Sequence, residues 1–188
     1  MRLLVTGGRG LLGTTLTRLA SARGDEVSAT YHRQGPGDRR IAWLPVDFES
    51  SDQVETLMRD CRPDIVGLSI MTFQRTTAFA LIRLIKSLRP DTHIVVGGYD
   101  PSLAPEAWED AASGVDVIVR GEGDLTFRDL LRAIERGADL TGVDGLSFRR
   151  ADGFVRTPDR AVSPLGADIK PPNRAARVLS GYTLLGRP

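Results

Sequence analysis

Residues 1–13 read MRLLVTGGRGLLG, and the fold turns on how this stretch is understood. Positions 2–7 are a short apolar run with strand character. Glycines follow, and from position 10 to 22 leucines recur at helical spacing (Leu11, Leu12, Leu16, Leu19). A strand that turns on glycine straight into a helix is the opening unit of an α/β sheet.

The rhythm continues along the chain. Further strands are predicted at 26–32, 41–48, 64–70, 92–99 and 115–121. Pro45 suggests an edge position for the third. Helices are predicted at 51–61, 77–88 and 125–136, with a short one near 105–112. Strands separated by helices imply parallel pairing through right-handed crossovers. The expected fold is α/β, a doubly wound parallel sheet of about six strands, Rossmann- or flavodoxin-like. Positions 145–157 break the pattern with two β-like runs around Ala151-Asp152-Gly153, a hairpin signal. The division expected is one α/β domain over 1–142, a β-hairpin over 143–158 and a linker-like tail over 159–188.

Composition bounds the function. The chain has 188 residues, 41% of them hydrophobic and 26% charged, which is globular and not disordered. A net charge of +1 gives no global field that would favour nucleic acid or an anionic membrane. Cys61 is the single cysteine, so neither a disulfide nor a cysteine-ligated cluster can form within the chain. No apolar run approaches the roughly 18 residues of a membrane span, so the protein is expected to be soluble and cytoplasmic.

Gly8-Arg9-Gly10-Leu11-Leu12-Gly13, preceded by Gly7, fits the G-x-G-x-x-G pattern between a strand and a helix. Glycines there let the backbone approach a pyrophosphate, and the helix N-terminus offers free N–H groups. The alternative is a glycine turn kept for close helix–strand packing. Strand two ends Tyr31-His32-Arg33, where an NAD site would place an acidic residue. A basic end, Arg33 with His32 beside it, favours a 2′-phosphate and hence NADP; the alternative is an ordinary solvated loop arginine and an exposed loop histidine. Asp47 and Phe48, closing strand three, could meet the amino group and face of an adenine.

On these residues, with VDFESSDQVETLMRDCRPDIV (46–66), the first 66 residues resemble an extended short-chain dehydrogenase of the dTDP-4-dehydrorhamnose reductase type. That resemblance implies a Tyr-x-x-x-Lys pair further on. Four residues after Tyr31, Tyr99 and Tyr182 stand Gly35, Leu103 and Gly186, so hydride transfer by that mechanism is not expected.

From about Pro63 a second resemblance begins. PDIVGLSIMT (63–72), KSLRP (86–90), HIVVGGYDPSLAPE (93–106), VDVIVRGEGDLTFRDLL (115–131) and GLSFRRADGFVRTP (145–158) follow in order. They resemble the cobalamin-binding domain of cobalamin-dependent radical SAM enzymes. The resemblance implies a corrin seated on the carboxyl ends of the strands, beside Ser69, Gly97, Gly98, Gly121, Glu122 and Gly123. The wider family's Asp-x-His-x-x-Gly loop is missing after strand one, and so is the cysteine cluster of the radical SAM barrel.

Two family halves inside one sheet imply an engineered chimera. The expectation is a non-catalytic binding domain with NADP as its small-molecule nucleotide cofactor. The alternatives are the cobalamin-binding domain of a truncated radical SAM protein, or a scaffold that binds neither ligand.

Overall fold

The computed structural model of the chain describes residues 2–6, 11–31 and 39–161. Short aliphatic runs form the strands β1 (Arg2–Val5), β2 (Glu26–Tyr31), β3 (Ala42–Pro45), β4 (Ile65–Ser69), β5 (His93–Gly97) and β6 (Val117–Val119). Between them lie α1 (Leu11–Ala22), α2 (Ser51–Cys61), α3 (Arg75–Leu88) and a short α4 (Tyr99–Leu103), with α5 (Gly123–Arg136) after β6. The hairpin β7 (Leu146–Arg150) and β8 (Gly153–Arg156) closes the described chain. The fold is α/β with parallel strands and flanking helices, as the alternating pattern predicts.

The parallel strands fall into two ladders. One has the order β1-β2-β3 and is parallel throughout. The other runs β4-β5-β6-β7-β8, with β7 and β8 antiparallel. Among the described residues no ladder joins β1 to β4, although a single sheet would place them side by side. β4 accordingly behaves as an edge strand, with Gly67 and Ser69 exposed. Pro45 lies on β3, the outer strand of the first ladder, where its missing N–H costs no sheet bond.

Strand pleating sorts the larger core into two faces. Ile94, Val96 and Ile118 point to one side, where Ile82 and Ile85 of α3, Val54 and Met58 of α2 and the fully buried Trp108 cover them. Val95, Val117 and Val119 point to the other, under Leu130 and Ala133 of α5, with Leu146 and Phe148 of the hairpin. Helices on both faces are why β5 and β6 carry almost nothing but aliphatic residues. A smaller cluster, Val5, Ala20, Val27, Ala29 and Ile41, holds the first ladder together.

A charged brace fastens the amino ends of β5 and β6, opposite the site described below. Lys86 Nζ donates to Asp116 Oδ2 (2.8 Å) and to the Thr92 carbonyl (2.9 Å), and Asp116 Oδ2 also accepts from the Ile94 N–H (2.7 Å).

Ile82 has no exposed surface and sits against Gly114, where a Cβ would come within 2.9 Å of its Cγ2. Ile82→Ala is expected to cost about 2–5 kcal/mol in urea unfolding, because the packed surroundings cannot collapse onto the void. A loss below about 1 kcal/mol would contradict this packing.

Candidate functional site

The carboxyl ends of β4, β5 and β6 converge. Ser69 and Gly97 are register partners across β4 and β5, and the Ile70 N–H donates to the Gly97 carbonyl (2.8 Å). Gly98 follows at φ +95°. A Cβ there would lie 2.8 Å from Ile70 N and 2.9 Å from Ser69 Oγ. Only glycine allows the two strand ends to touch in this way. Gly121, at φ +70°, closes β6 and donates its N–H to Ser102 Oγ of α4 (3.0 Å). Open space surrounds its absent Cβ. Glu122 is exposed, and Gly123 opens α5. The structure thus brings Ser69, Gly97, Gly98 and the Gly121–Gly123 turn to one edge.

Beside that edge stand large apolar side chains in the open. Met71 and Phe73 (83% exposed) follow β4, and Tyr99 and Leu103 follow β5. Sequence reading missed this rim, because apolar residues scattered over a turn and a five-residue helix carry no periodicity. The signal available was their position, immediately after two strand ends already marked by Ser69 and Gly97-Gly98.

Under the rim lies an ion pair. Both oxygens of Asp100, which is 2% exposed, face the Arg75 fork, Nη2 to Oδ1 at 2.7 Å and Nε to Oδ2 at 2.8 Å. Trp108 Nε1 donates to Oδ2 as well (3.0 Å). The Arg75 fork holds the Asp100 carboxyl below the usual carboxylate range, and bonds from Trp108 and Thr72 act in the same direction.

The candidate residues of the first half fare differently. Gly7, Gly8, Arg9, Gly10, His32 and Arg33 lie outside the described residues, and Leu11, Leu12 and Gly13 form the first turn of α1. Asp47 Oδ1 accepts the Glu49 N–H (3.0 Å), and its own N–H donates to Gln53 Oε1 (2.9 Å), an arrangement that leads the chain into α2. Phe48 is partly exposed and, with Asp47, Thr6, Thr30 and Tyr31, lines a cavity of about 490 Å³ at the ends of the first ladder. A second cavity, about 220 Å³, adjoins Cys61, whose thiol pKa is raised by burial. Among the described residues no group of three metal-ligating side chains occurs, and no helix is long and apolar enough to cross a membrane.

Comparison with known proteins bears on which edge is the site. A family model, the B12 binding domain, matches residues 20–131. The chain is 33% identical over 116 residues to the uncharacterized methyltransferase PH0819 of Pyrococcus horikoshii, covering 62% of this chain and 25% of that protein. It is also 33% identical over 181 aligned positions to the human epimerase family protein SDR39U1, covering 79% of this chain and 60% of that one. Among solved structures, the cobalamin-dependent S-adenosylmethionine radical enzyme OxsB with aqua-cobalamin and S-adenosylmethionine bound superposes with a TM-score of 0.53 at 27% identity. That match covers 65% of this chain and 17% of OxsB. The chain spans about a quarter of the length of PH0819.

These findings correct the expectation of NADP. The family model and the cobalamin-bound neighbour point to cobalamin as the cofactor. The physical reason for the misreading is that a G-x-G-x-x-G turn serves close helix–strand packing as well as it serves a pyrophosphate. Asp47, the polar candidate of that half whose contacts are described, is bonded within the turn that begins α2. The chimera is not carried either. The family match spans residues 63–66, and the likeness to an epimerase family protein covers 79% of this chain and so is not confined to its first 66 residues.

Two outcomes follow from this geometry. Gly98→Ala must move the Ile70 peptide or change the loop, so its thermal midpoint should fall by several degrees; an unchanged midpoint would refute the close crossing. The Asp100 carboxyl is depressed in the folded state. Its stabilisation is therefore complete above the unfolded value of about 3.9 and is lost as pH falls below it. Urea midpoints compared between pH 7 and pH 3 should drop less for Asp100→Asn than for the wild type, and equal drops would contradict the assignment.

Proposed function

We propose, since the chain belongs to the B12-binding domain family, that it binds cobalamin across the carboxyl ends of β4, β5 and β6. We read it as the cobalamin-binding unit of a protein like the radical SAM enzymes it resembles. The observation that carries the reading is the coincidence of a bare-backbone edge with an exposed apolar rim.

The residues present fit the ligand. A corrin is broad and flat, with apolar faces and amide groups around its margin. Ser69, Gly98 and Gly121 are exposed and leave backbone or a small hydroxyl accessible along the edge. Met71, Phe73, Tyr99 and Leu103 offer more apolar surface than a lone exposed residue would, and such a cluster marks a site to be covered. When bound, cobalamin supplies a cobalt centre able to carry a methyl group. The chain's own part is to bind and orient. Ser69 and the exposed backbone at Gly98 and Gly121 would meet the amides of the ring margin. The rim would exclude water from one face.

We assign no bond-making to this chain. It has neither a Tyr-x-x-x-Lys pair nor a set of three cysteines, so hydride transfer of the dehydrogenase kind and radical chemistry on a cysteine-held cluster would each need groups this sequence does not contain.

Titration of hydroxocobalamin, followed by visible absorbance and equilibrium dialysis, tests the reading. Saturable one-to-one binding is expected, lost or much weakened in Gly98→Val. No binding at millimolar cobalamin would overturn it.

A further inference from the structure

We infer that Asp100 is the positioning residue of the corrin seat, tying the two loops that carry its apolar rim into one preorganised body. This rests on the cobalamin reading above.

The rim has two halves from different parts of the chain. Met71 and Phe73 belong to the segment between β4 and α3, while Tyr99 and Leu103 belong to α4, after β5. A five-residue helix and a three-residue turn have little stability of their own. What holds them is a set of contacts that meet at one residue. The Asp100 N–H donates to the Ile70 carbonyl (3.1 Å), and the Asp100 carbonyl accepts from Ala104 N–H (3.0 Å). Its carboxylate takes the Arg75 fork at the start of α3 and the indole N–H of Trp108. Trp108 in turn stacks on Phe79 of α3, ring centroids 4.5 Å apart. One residue, through backbone and side chain together, therefore connects the β4 loop, the β5 loop and the core beneath them.

The two ends of the pair are unequally buried. Asp100 is 2% exposed, while the Arg75 side chain keeps 36% of its surface. Arg75 therefore reaches the surface and pins its loop to a buried carboxylate. Gln74 Oε1 accepts the Met71 N–H (2.9 Å) and fixes the turn between them. A ligand landing on a rim held this way does not have to order it, and affinity rises by the ordering cost avoided.

A role confined to folding would show only in stability. A positioning role moves the ordering of the loops from folding to binding, and that difference can be measured. Hydroxocobalamin would be titrated by visible absorbance into the wild type and Asp100→Asn. Amide hydrogen exchange of residues 70–75 and 98–104 would be followed with and without cobalamin. The amide of Asp100→Asn keeps an oxygen for Trp108 but loses the two-oxygen match to Arg75. The expected dissociation constant is about tenfold higher. Loop exchange should be faster in the free variant and recover toward wild-type rates on binding. Arg75→Lys keeps the charge, loses the fork and serves if Asp100→Asn does not fold. Wild-type affinity in the variant, or weaker binding with loop exchange unchanged, would overturn the inference. Failure of the wild type to bind cobalamin would instead overturn the functional reading, and the ligand-free exchange would still decide whether Asp100 orders the loops.

Discussion

The carboxyl edge of the longer ladder depends on one close crossing, that of Gly98 over the Ser69–Ile70 peptide. A methyl group there would stand 2.8 Å from a backbone nitrogen, well inside contact distance. Because the crossing is so tight, the chain leaves β5 in a left-handed conformation and turns at once into α4. That turn brings Asp100 back beneath the β4 loop, where it meets Arg75 and Trp108. It also leaves Tyr99 and Leu103 facing outward. The apolar rim, the buried ion pair and the bare strand edge are thus consequences of a single steric allowance.

Much of the fold was legible in the residues. α2 has the bounds read from its spacing, because Val54, Leu57 and Met58 make an unambiguous buried stripe. The hairpin was legible from Ala151-Asp152-Gly153 between two β-like runs. α3 and α5 each begin two residues earlier than their periodicity suggests. In both cases the two extra residues, Arg75-Thr76 and Gly123-Asp124, are polar or glycine and carry no apolar signal. The short helix expected near 105–112 is instead two 3₁₀ turns, Pro105–Ala107 and Ala111–Ser113, and α4, five residues with a proline in the middle, has no helical period to detect.

Strand neighbours were less legible than strands. Periodicity reports that β1 and β4 exist and are apolar, but pairing is a matter of the whole molecule. Gly67 and Ser69 lie exposed on β4, which among the described residues pairs on one side only. The cofactor was misread for a related reason. Glycines after a strand declare that backbone must come close to something, and both ends of this sheet system carry them. Which partner comes close is decided by the side chains around, and glycine spacing does not report those.

The hairpin has a consequence for where this domain can be cut. β7 pairs with β6 along Val117, Ile118 and Val119, an unbroken aliphatic strand that would otherwise be the ladder's outer rung. β8 then forms the border. It is four residues long, and Arg156 at its end is paired with Glu109. A short strand with charged neighbours is a poor template for a second chain, whereas a bare Val-Ile-Val edge is a good one. A fragment ending at residue 142 would keep every described helix and every described parallel strand yet expose that edge to self-association. The hairpin is therefore part of what keeps the domain from aggregating.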